Sequence, residues 1–259
     1  MVSTYPQTLT SQWQWQGNDK SYLTCSLLQD WQHGFFTRHW GCPPEELVAV
    51  LHPEAHAYRV QQVHGKVVLS VTKAQALTQE SFPPADGVVT DAEQQAVWVA
   101  SADCTPVLIG DVKTGQAAAV HAGWRGTAQR IVPEAIAQFL TAGSALENLR
   151  IAMGPAIAGE VYQVSESVAA EIGASIFPAL EDVLEALWHL PRSPLLRDPQ
   201  PGKVRIDVRQ VNALQLQQMG IRDEQMAIAP YCTYQQPKYF FSYRRSQQKQ
   251  VQWSGIVSG

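Results

Sequence analysis

Between Trp98 and Gly126 the chain reads WVASADCTPVLIGDVKTGQAAAVHAGWRG. Two apolar runs flank a Val112-Lys113-Thr114-Gly115 turn signal, and such a pattern folds back as a β-hairpin. The turn also sets a register. If Asp111 pairs with Gln116, Pro106 lies opposite His121, and Cys104 becomes the diagonal neighbour of His121 on the same face. Diagonal partners sit roughly 7–8 Å apart at Cα, close enough for a thiolate and an imidazole to meet. The first run is interrupted only at Ser-Ala-Asp-Cys. Beyond the hairpin, Gly-Trp-Arg-Gly leads into a helical pattern expected to start at Thr127, which places Arg125 where an anion is favoured.

The remaining elements alternate without a strict βαβ rhythm, which predicts an α/β protein with a mixed sheet and covering helices in one domain over residues 1–259. Trp13 and Trp15 alternate with glutamines, as in a peripheral strand within a polar segment 1–20. Residues 21–29 and 34–37 read as strands, the second ending at Arg38. Pro43–Leu51 reads as a short helix, and residues 57–70 as strand–turn–strand with His64 at the turn. Residues 73–84 are a connector. A helix is expected from Thr127 to Ala142, kinked or delayed by Pro133. A buried strand follows at 149–153, and a helix begins at Ser165. Leu180–Trp188 reads as helical, and four prolines make the stretch to residue 203 an exposed loop. Asp207 starts a helix that Gly220 ends. The segment CTYQQPKYFFSYRRS reads as a strand carrying Arg244 and Arg245.

Charged residues make up only 16% of the chain and the net charge is -4, which speaks against a nucleic-acid binder. No apolar run approaches the length of a membrane span, and the N-terminus has neither the basic flank nor the apolar core of a signal peptide. Four cysteines without a CxxC pair fit a reduced, cytoplasmic protein.

Three residues stand out by type: His64, Cys104 and His121. A thiolate with two imidazoles is a good zinc set that leaves a fourth position open. Their separations, 40 and 17 residues, match no zinc-finger spacing. Three readings stand side by side: an open metal site, a metal-free Cys–His nucleophile, and a small buried cysteine beside a core histidine. His52 and His56 have the i, i+4 spacing of a helical metal pair, but Pro53 excludes a helix running through His52 and favours a pair of surface histidines. Arg38, Arg125, Arg244 and Arg245 follow apolar segments. Arginine forks suit phosphate or carboxylate, and surface ion pairs are the alternative.

Several short segments together, in order, resemble one family: HGFFTR (33–38), QVHG (62–65), ADGVVT (85–90), SADCTPVL (101–108), HAGWRG (121–126), GPAI (154–157), CTY (232–234) and FFSYRR (240–245). The chain is similar to the bacterial laccase-domain proteins, also called multicopper polyphenol-oxidase-like and now described as purine nucleoside phosphorylases. The resemblance implies layered mixed β-sheets flanked by helices. It implies zinc held by His64, Cys104 and His121, with phosphorolysis of adenosine, inosine, guanosine and methylthioadenosine, and deamination of adenosine. Zinc held there would activate water for attack at the purine C6. Arg38, Arg125 and Arg244 are the candidate phosphate-binding residues, and Asp86 and Asp103 candidate acids by adjacency alone. The expected partners are a nucleoside and phosphate, acting on a monomer.

The word laccase can be weighed against the residues. The chain has 7 histidines and no His-x-His, too few for a blue-copper centre plus a trinuclear cluster. Copper at the single site, with weak oxidation of polyphenols, stays compatible with nitrogen ligands. The rival chemistry is a cysteine hydrolase, with Cys104 as nucleophile and His121 as base, acting on an amide in peptidoglycan editing. A non-catalytic zinc protein is the third class. Two departures from the family, His-Trp-Gly-Cys-Pro-Pro after Arg38 and Ile-Val-Ser-Gly at the end, fall where they would alter a pocket rim rather than the metal.

Overall fold

Alternation along two central strands decides the layering. In Gln95–Ser101, Val97 and Val99 join one apolar cluster while Ala96 and Trp98 join another. In Thr105–Asp111, Leu108 joins the first cluster, and Val107 and Ile109 enter a third. Strands buried on both faces need a layer on either side. The computed structural model, which describes residues 12–73, 75–76 and 82–259, supplies those layers.

Among the described residues, a seven-stranded sheet runs in the order Trp13–Gln16, Tyr22–Cys25, His33–Phe36, Gln252–Val257, Gln95–Ser101, His56–Arg59, Gln75–Ala76. Only His56–Arg59 and Gln95–Ser101 pair in parallel. A six-stranded sheet runs Met226–Ile228, Leu149–Met153, Thr105–Asp111, Ala117–Ala122, Gly87–Val89, Val68–Ser70, with parallel pairs at both edges. The two sheets face each other across a core that includes Phe35, Val97, Val99, Leu108, Ala119 and Ala152. The helix Pro44–Leu51 covers the outside of the first sheet. The helices Ile131–Thr141 and Val208–Gln218 cover the outside of the second. A small antiparallel sheet of Gln163–Ser165, Lys203–Ile206 and Leu195–Arg197 packs with the helices Glu166–Gly173 and Val183–Trp188 around its own apolar cluster.

The chain changes sheets twice in ways that matter below. His56–Arg59 belongs to the seven-stranded sheet and Val68–Ser70 to the six-stranded one, so residues 60–67 form a crossing. Gln95–Ser101 and Thr105–Asp111 are divided in the same way, so the Ala-Asp-Cys interruption at 102–104 is a second crossing. The hairpin proper is therefore Thr105–Asp111 with Ala117–Ala122. Its register is the expected one, with His121 opposite Pro106 and Asp111 N–H donating to Gln116 O at 2.9 Å.

Several expectations need correction. The helix expected to start at Thr127 is two helices, Trp124–Ala128 and Ile131–Thr141, separated by Arg130 at φ 63°. Pro133 sits in the first turn of the second helix, where its missing N–H costs nothing. The proline-rich stretch to residue 203 is not all loop. Leu195–Arg197 is a three-residue strand lying between Pro194 and Pro199, so no proline falls inside the ladder. The aromatic segment before Arg244 is not a strand: Ser242 caps a short helix, Tyr243–Ser246, and the last strand is Gln252–Val257. The rings of Tyr239 and Phe240 instead pack on Trp15. Residues 1–11 of the polar N-terminal segment, and residues 74 and 77–81 of the expected connector, lie outside the described residues.

Candidate metal centre and cavity

The two crossings deliver two donors to one place. At the first, His64 adopts φ 60°, and the turn directs three successive N–H groups at the Asp86 carboxylate. Val63, His64 and Gly65 donate to it at 3.2, 2.9 and 2.7 Å. The same carboxylate meets His121 Nδ1 at 2.9 Å, and the Asp86 carbonyl accepts the His121 N–H at 2.7 Å. Asp86 is fully buried. Burial alone raises its pKa, but the His121 imidazole and the N–H groups of Gly65 and His64 outweigh that and hold the carboxyl below its ordinary value. One aspartate thus fixes the backbone carrying His64 and the ring of His121.

At the second crossing, Cys104 heads the hairpin strand. The donor atoms of His64, Cys104 and His121 all lie within 4.8 Å of one another. Among the described residues this is the one group of three or more such donors within mutual reach. Burial pushes the Cys104 thiol up, but the neighbouring imidazoles of His121 and His64 prevail and bring it to about 6. Burial pushes His121 down, and Cys104 with Asp86 raise it to about 9. Cys104 and His121 thus each favour the charged form of the other.

The residues fit a tetrahedral metal. Zn–N and Zn–S bonds of about 2.0 and 2.3 Å place ligand atoms roughly 3.3–3.6 Å apart, an ångström or so closer than the widest separation here. The Asp86–His121 contact is the usual carboxylate support of a ligating histidine. The other histidines are differently engaged: buried His33 accepts the Cys25 N–H and faces the Trp31 carbonyl, and His52 accepts the Glu54 N–H. His56 opens a strand of the first sheet, so the His52–His56 spacing is not helical.

Gly123 provides the space for the thiolate. A Cβ there would lie 2.9 Å from Cys104 Sγ and 3.5 Å from His64 Cδ2. We expect Gly123→Ala to displace the thiolate and weaken metal binding about 10–100-fold, the range seen when a ligand's support is disturbed. Competition with a chelator of known affinity measures this, and unchanged affinity would contradict the close approach.

Both candidate acids are engaged as hydrogen-bond acceptors. Asp86 is committed as described. Asp103, at φ 93°, accepts from Thr233 Oγ1, Ser242 Oγ and the Arg244 N–H at 2.6, 3.0 and 2.7 Å. It fastens the segment 233–244 beside Cys104. The CTY and FFSYRR segments are therefore architectural at these positions. Arg245 has the same character, donating to the carbonyls of Thr233, Tyr234 and Phe240.

The three donors open into a cavity of about 900 Å³, whose wall also includes Arg59, Phe82, Tyr243, Lys249 and Trp253. None of Arg38, Arg125 and Arg244 lines it. Arg125 is exposed and stacks on Trp124 at 4.4 Å. Arg244 lies over Tyr162 at 4.8 Å and donates to the Gln163 carbonyl. Burial and the Cys104 thiolate push Tyr162 up to about 12, against the pull of Arg244 and Arg125. Both arginines stand outside the cavity lining. Arg38 rests on Phe241 at 4.7 Å and donates to the Pro237 carbonyl.

Sequence reasoning missed the roles of Asp86 and Arg59. An aspartate between apolar Ala85 and Gly-Val-Val was the available signal for the first, because a carboxylate in such a run must have partners. No sequence signal pointed to Arg59.

A cavity whose floor carries three converged donors with one side open is the layout of a catalytic single-metal centre rather than of a closed structural one. The chain belongs to the multi-copper polyphenol oxidoreductase laccase family, whose model matches residues 44–257. It is 51% identical over 256 residues to a Synechocystis protein called purine nucleoside phosphorylase slr1573, covering 95% of this chain and 97% of that one. It is 29% identical over 160 residues to adenosine deaminase RL5 of an unknown prokaryote, covering 62% of this chain and 56% of that one. The crystal structure of the hypothetical protein YfiH of Bacillus licheniformis superposes with a TM-score of 0.78 at 21% identity, covering 95% of this chain and 99% of that one, which bears out the layered α/β fold. No helix among the described residues is long and apolar enough to cross a membrane.

Proposed function

We propose that this chain is a zinc-dependent purine nucleoside phosphorylase acting on adenosine, inosine, guanosine and methylthioadenosine, with deamination of adenosine at the same site. The observation that carries the reading is the convergence of His64, Cys104 and His121 on a cavity large enough for a nucleoside, in a close relative of a protein bearing the phosphorylase name. The proposal includes a cytoplasmic setting, in which four unpaired cysteines stay reduced, and a monomer whose partners are nucleoside and phosphate.

His64, Cys104 and His121 would hold the ion, which when bound supplies Lewis-acid polarisation. Asp86 keeps a proton on His121 Nδ1, so that the other ring nitrogen faces the donors. Tyr243, on the cavity wall, offers aromatic surface to a purine. In phosphorolysis a phosphate oxygen bonds to the ribose C1′ as the C1′–N9 bond breaks and its electron pair leaves with the base. Arg125, held on the Trp124 ring with no acceptor among the described residues, is the candidate to orient that phosphate, and Arg244, over Tyr162, is the second. Arg38, engaged by the Pro237 carbonyl and the Phe241 ring, is the third candidate.

The protein purified without added metal is expected to carry about one zinc per chain and to release hypoxanthine from inosine only with phosphate present. Arg125→Ala should raise the KM for phosphate about tenfold or more, as loss of a charged hydrogen bond does, while deamination of adenosine and zinc content hold. Equal losses in both reactions would remove Arg125 from phosphate binding. A second reading has one specific observation behind it: Cys104, His121 and Asp86 form a nucleophile–base–orienter chain. Activity on an amide substrate that survives chelation would favour this cysteine hydrolase over the phosphorylase.

A further inference from the structure

The cavity wall is unusual for an acidic protein. The chain carries a net charge of -4, yet among the described residues the wall holds Arg59 and Lys249 and not one carboxylate. Arg59 is clamped between two rings, its guanidinium 4.4 Å from the centre of Phe82 and 5.3 Å from that of Trp253. Its side chain keeps 27% of its exposure, and Glu45 approaches only to 3.8 Å from the outside. Its Nε is buried without a hydrogen-bond partner among the described residues. Apart from the 3.8 Å ion pair with Glu45, the guanidinium makes no hydrogen bond among the described residues, which leaves its terminal nitrogens with donors to offer a ligand. Lys249 makes no ion pair among the described residues, and the side chains of Gln248 and Gln250, on the same wall, make no hydrogen bond there.

Aromatic faces fix the plane of a guanidinium and leave its edges for a ligand, and that edge matches two oxygens of a phosphate. A second cation and two free amides on the same wall add charge and hydrogen-bond capacity, and Glu45, 3.8 Å from the guanidinium, does not itself line the cavity. The potential in a concave, partly desolvated cleft is stronger than on a flat surface. A cavity of about 900 Å³ lies toward the upper end of small-molecule sites, with room for more than a nucleoside.

We propose that this wall is a phosphate subsite, built by Arg59 and Lys249, that receives the 5′-phosphate of a purine nucleoside monophosphate whose base and sugar occupy the same cavity. The inference rests on the nucleoside reading above and adds a class of ligand to it. Free phosphate shares the same oxygens and is the other source of the group, so the experiment separates the two.

Inosine, inosine 5′-monophosphate and inorganic phosphate are titrated separately into the zinc-loaded protein by calorimetry in phosphate-free buffer. Under these conditions inosine can be neither phosphorolysed nor deaminated at C6. The monophosphate is expected to bind at least about tenfold more tightly than inosine at low ionic strength, the worth of one good charged hydrogen bond. Salt should narrow the gap. Arg59→Gln and Lys249→Gln should each narrow it too, with the loss larger for the monophosphate than for inosine. Lys249 is exposed, so its variant stays informative if Arg59→Gln folds poorly. Equal affinity of the two ligands, or a gap indifferent to both substitutions, overturns the proposal. Arg59-dependent binding of inorganic phosphate without any gain for the monophosphate overturns the nucleotide assignment and gives the subsite to the free anion. Arg59-dependent monophosphate binding in a protein that cannot phosphorolyse inosine leaves the subsite standing and sinks the phosphorylase reading.

Discussion

Asp86→Asn is expected to cost the protein both its metal and a large part of its stability. The carboxylate now accepts from three consecutive backbone N–H groups and from His121 Nδ1. An asparagine has one acceptor oxygen and one donor group in that place. Whichever way the amide is turned, a donor faces donors in a site closed to bulk solvent. Leaving buried partners unmatched and removing a paired charge costs roughly 3–5 kcal/mol, which for a chain of this size is a fall in melting temperature of about 6–20 °C. The tautomer matters as much. With an amide N–H opposite Nδ1, the imidazole moves its proton to Nε2, the nitrogen that faces Cys104 and His64, and His121 can no longer ligate. Metal affinity should fall about 10–100-fold. Thermal unfolding with and without chelator separates the two effects. If the metal-free Asn variant melts where the metal-free parent does, Asp86 is not the tie between the two loops.

Cys104→Ser should empty the metal site, and replacing the other cysteines should not. Serine keeps the shape but does not ionise near neutral pH, whereas the Cys104 thiol is brought to about 6 by its two imidazoles. Two remaining neutral donors hold zinc poorly. Cys25 is buried and its thiol is pushed up to about 11 by burial, so it stays protonated. Cys232 is buried with its sulfur accepting the Ala158 N–H, and Cys42 sits on the far side of the seven-stranded sheet with Trp40 and Val48. Elemental analysis of the four single variants should show metal near parent level in three and at least about tenfold less in Cys104→Ser. A Cys232→Ser protein that lacks metal while Cys104→Ser retains it would mean that the wrong thiol has been assigned.

The hairpin was legible because a turn signal and a period of two fix a register, and the Cα pairing of His121 with Pro106 followed from counting. His64 stands out by residue type and by the QVHG segment, but local pattern places it only at a glycine turn. What brings it to Cys104 is a crossing between sheets, and nothing within residues 60–67 says which sheet the chain leaves or joins. The same blindness merged Gln95–Ser101 and Thr105–Asp111 into one run, since both strands are apolar on both faces. Asp86 and Asp103 looked like acids for catalysis because adjacency was the only measure at hand. Their hydrogen bonds come from residues 21 and 141 positions away, among others, a distance that local patterns do not span. Arg59 was invisible because its meaning depends on Phe82 and Trp253, which are distant in sequence.

His64 and Cys104 both ride on connections that carry the chain from the seven-stranded sheet to the six-stranded one, while His121 stands in the six-stranded sheet itself. The spacing of the three donors is therefore a reading of how the two sheets are stacked. A shift of one layer over the other by an ångström would spoil the ligand set before it exposed any core residue. Selection for catalysis then acts far from the cavity. Side chains sealed between the layers, such as Val99 and Leu108, touch no substrate, yet they hold the stacking at the one value at which the donors meet. In the history of such a chain these interior positions should drift as slowly as the ligands themselves, and for the same reason.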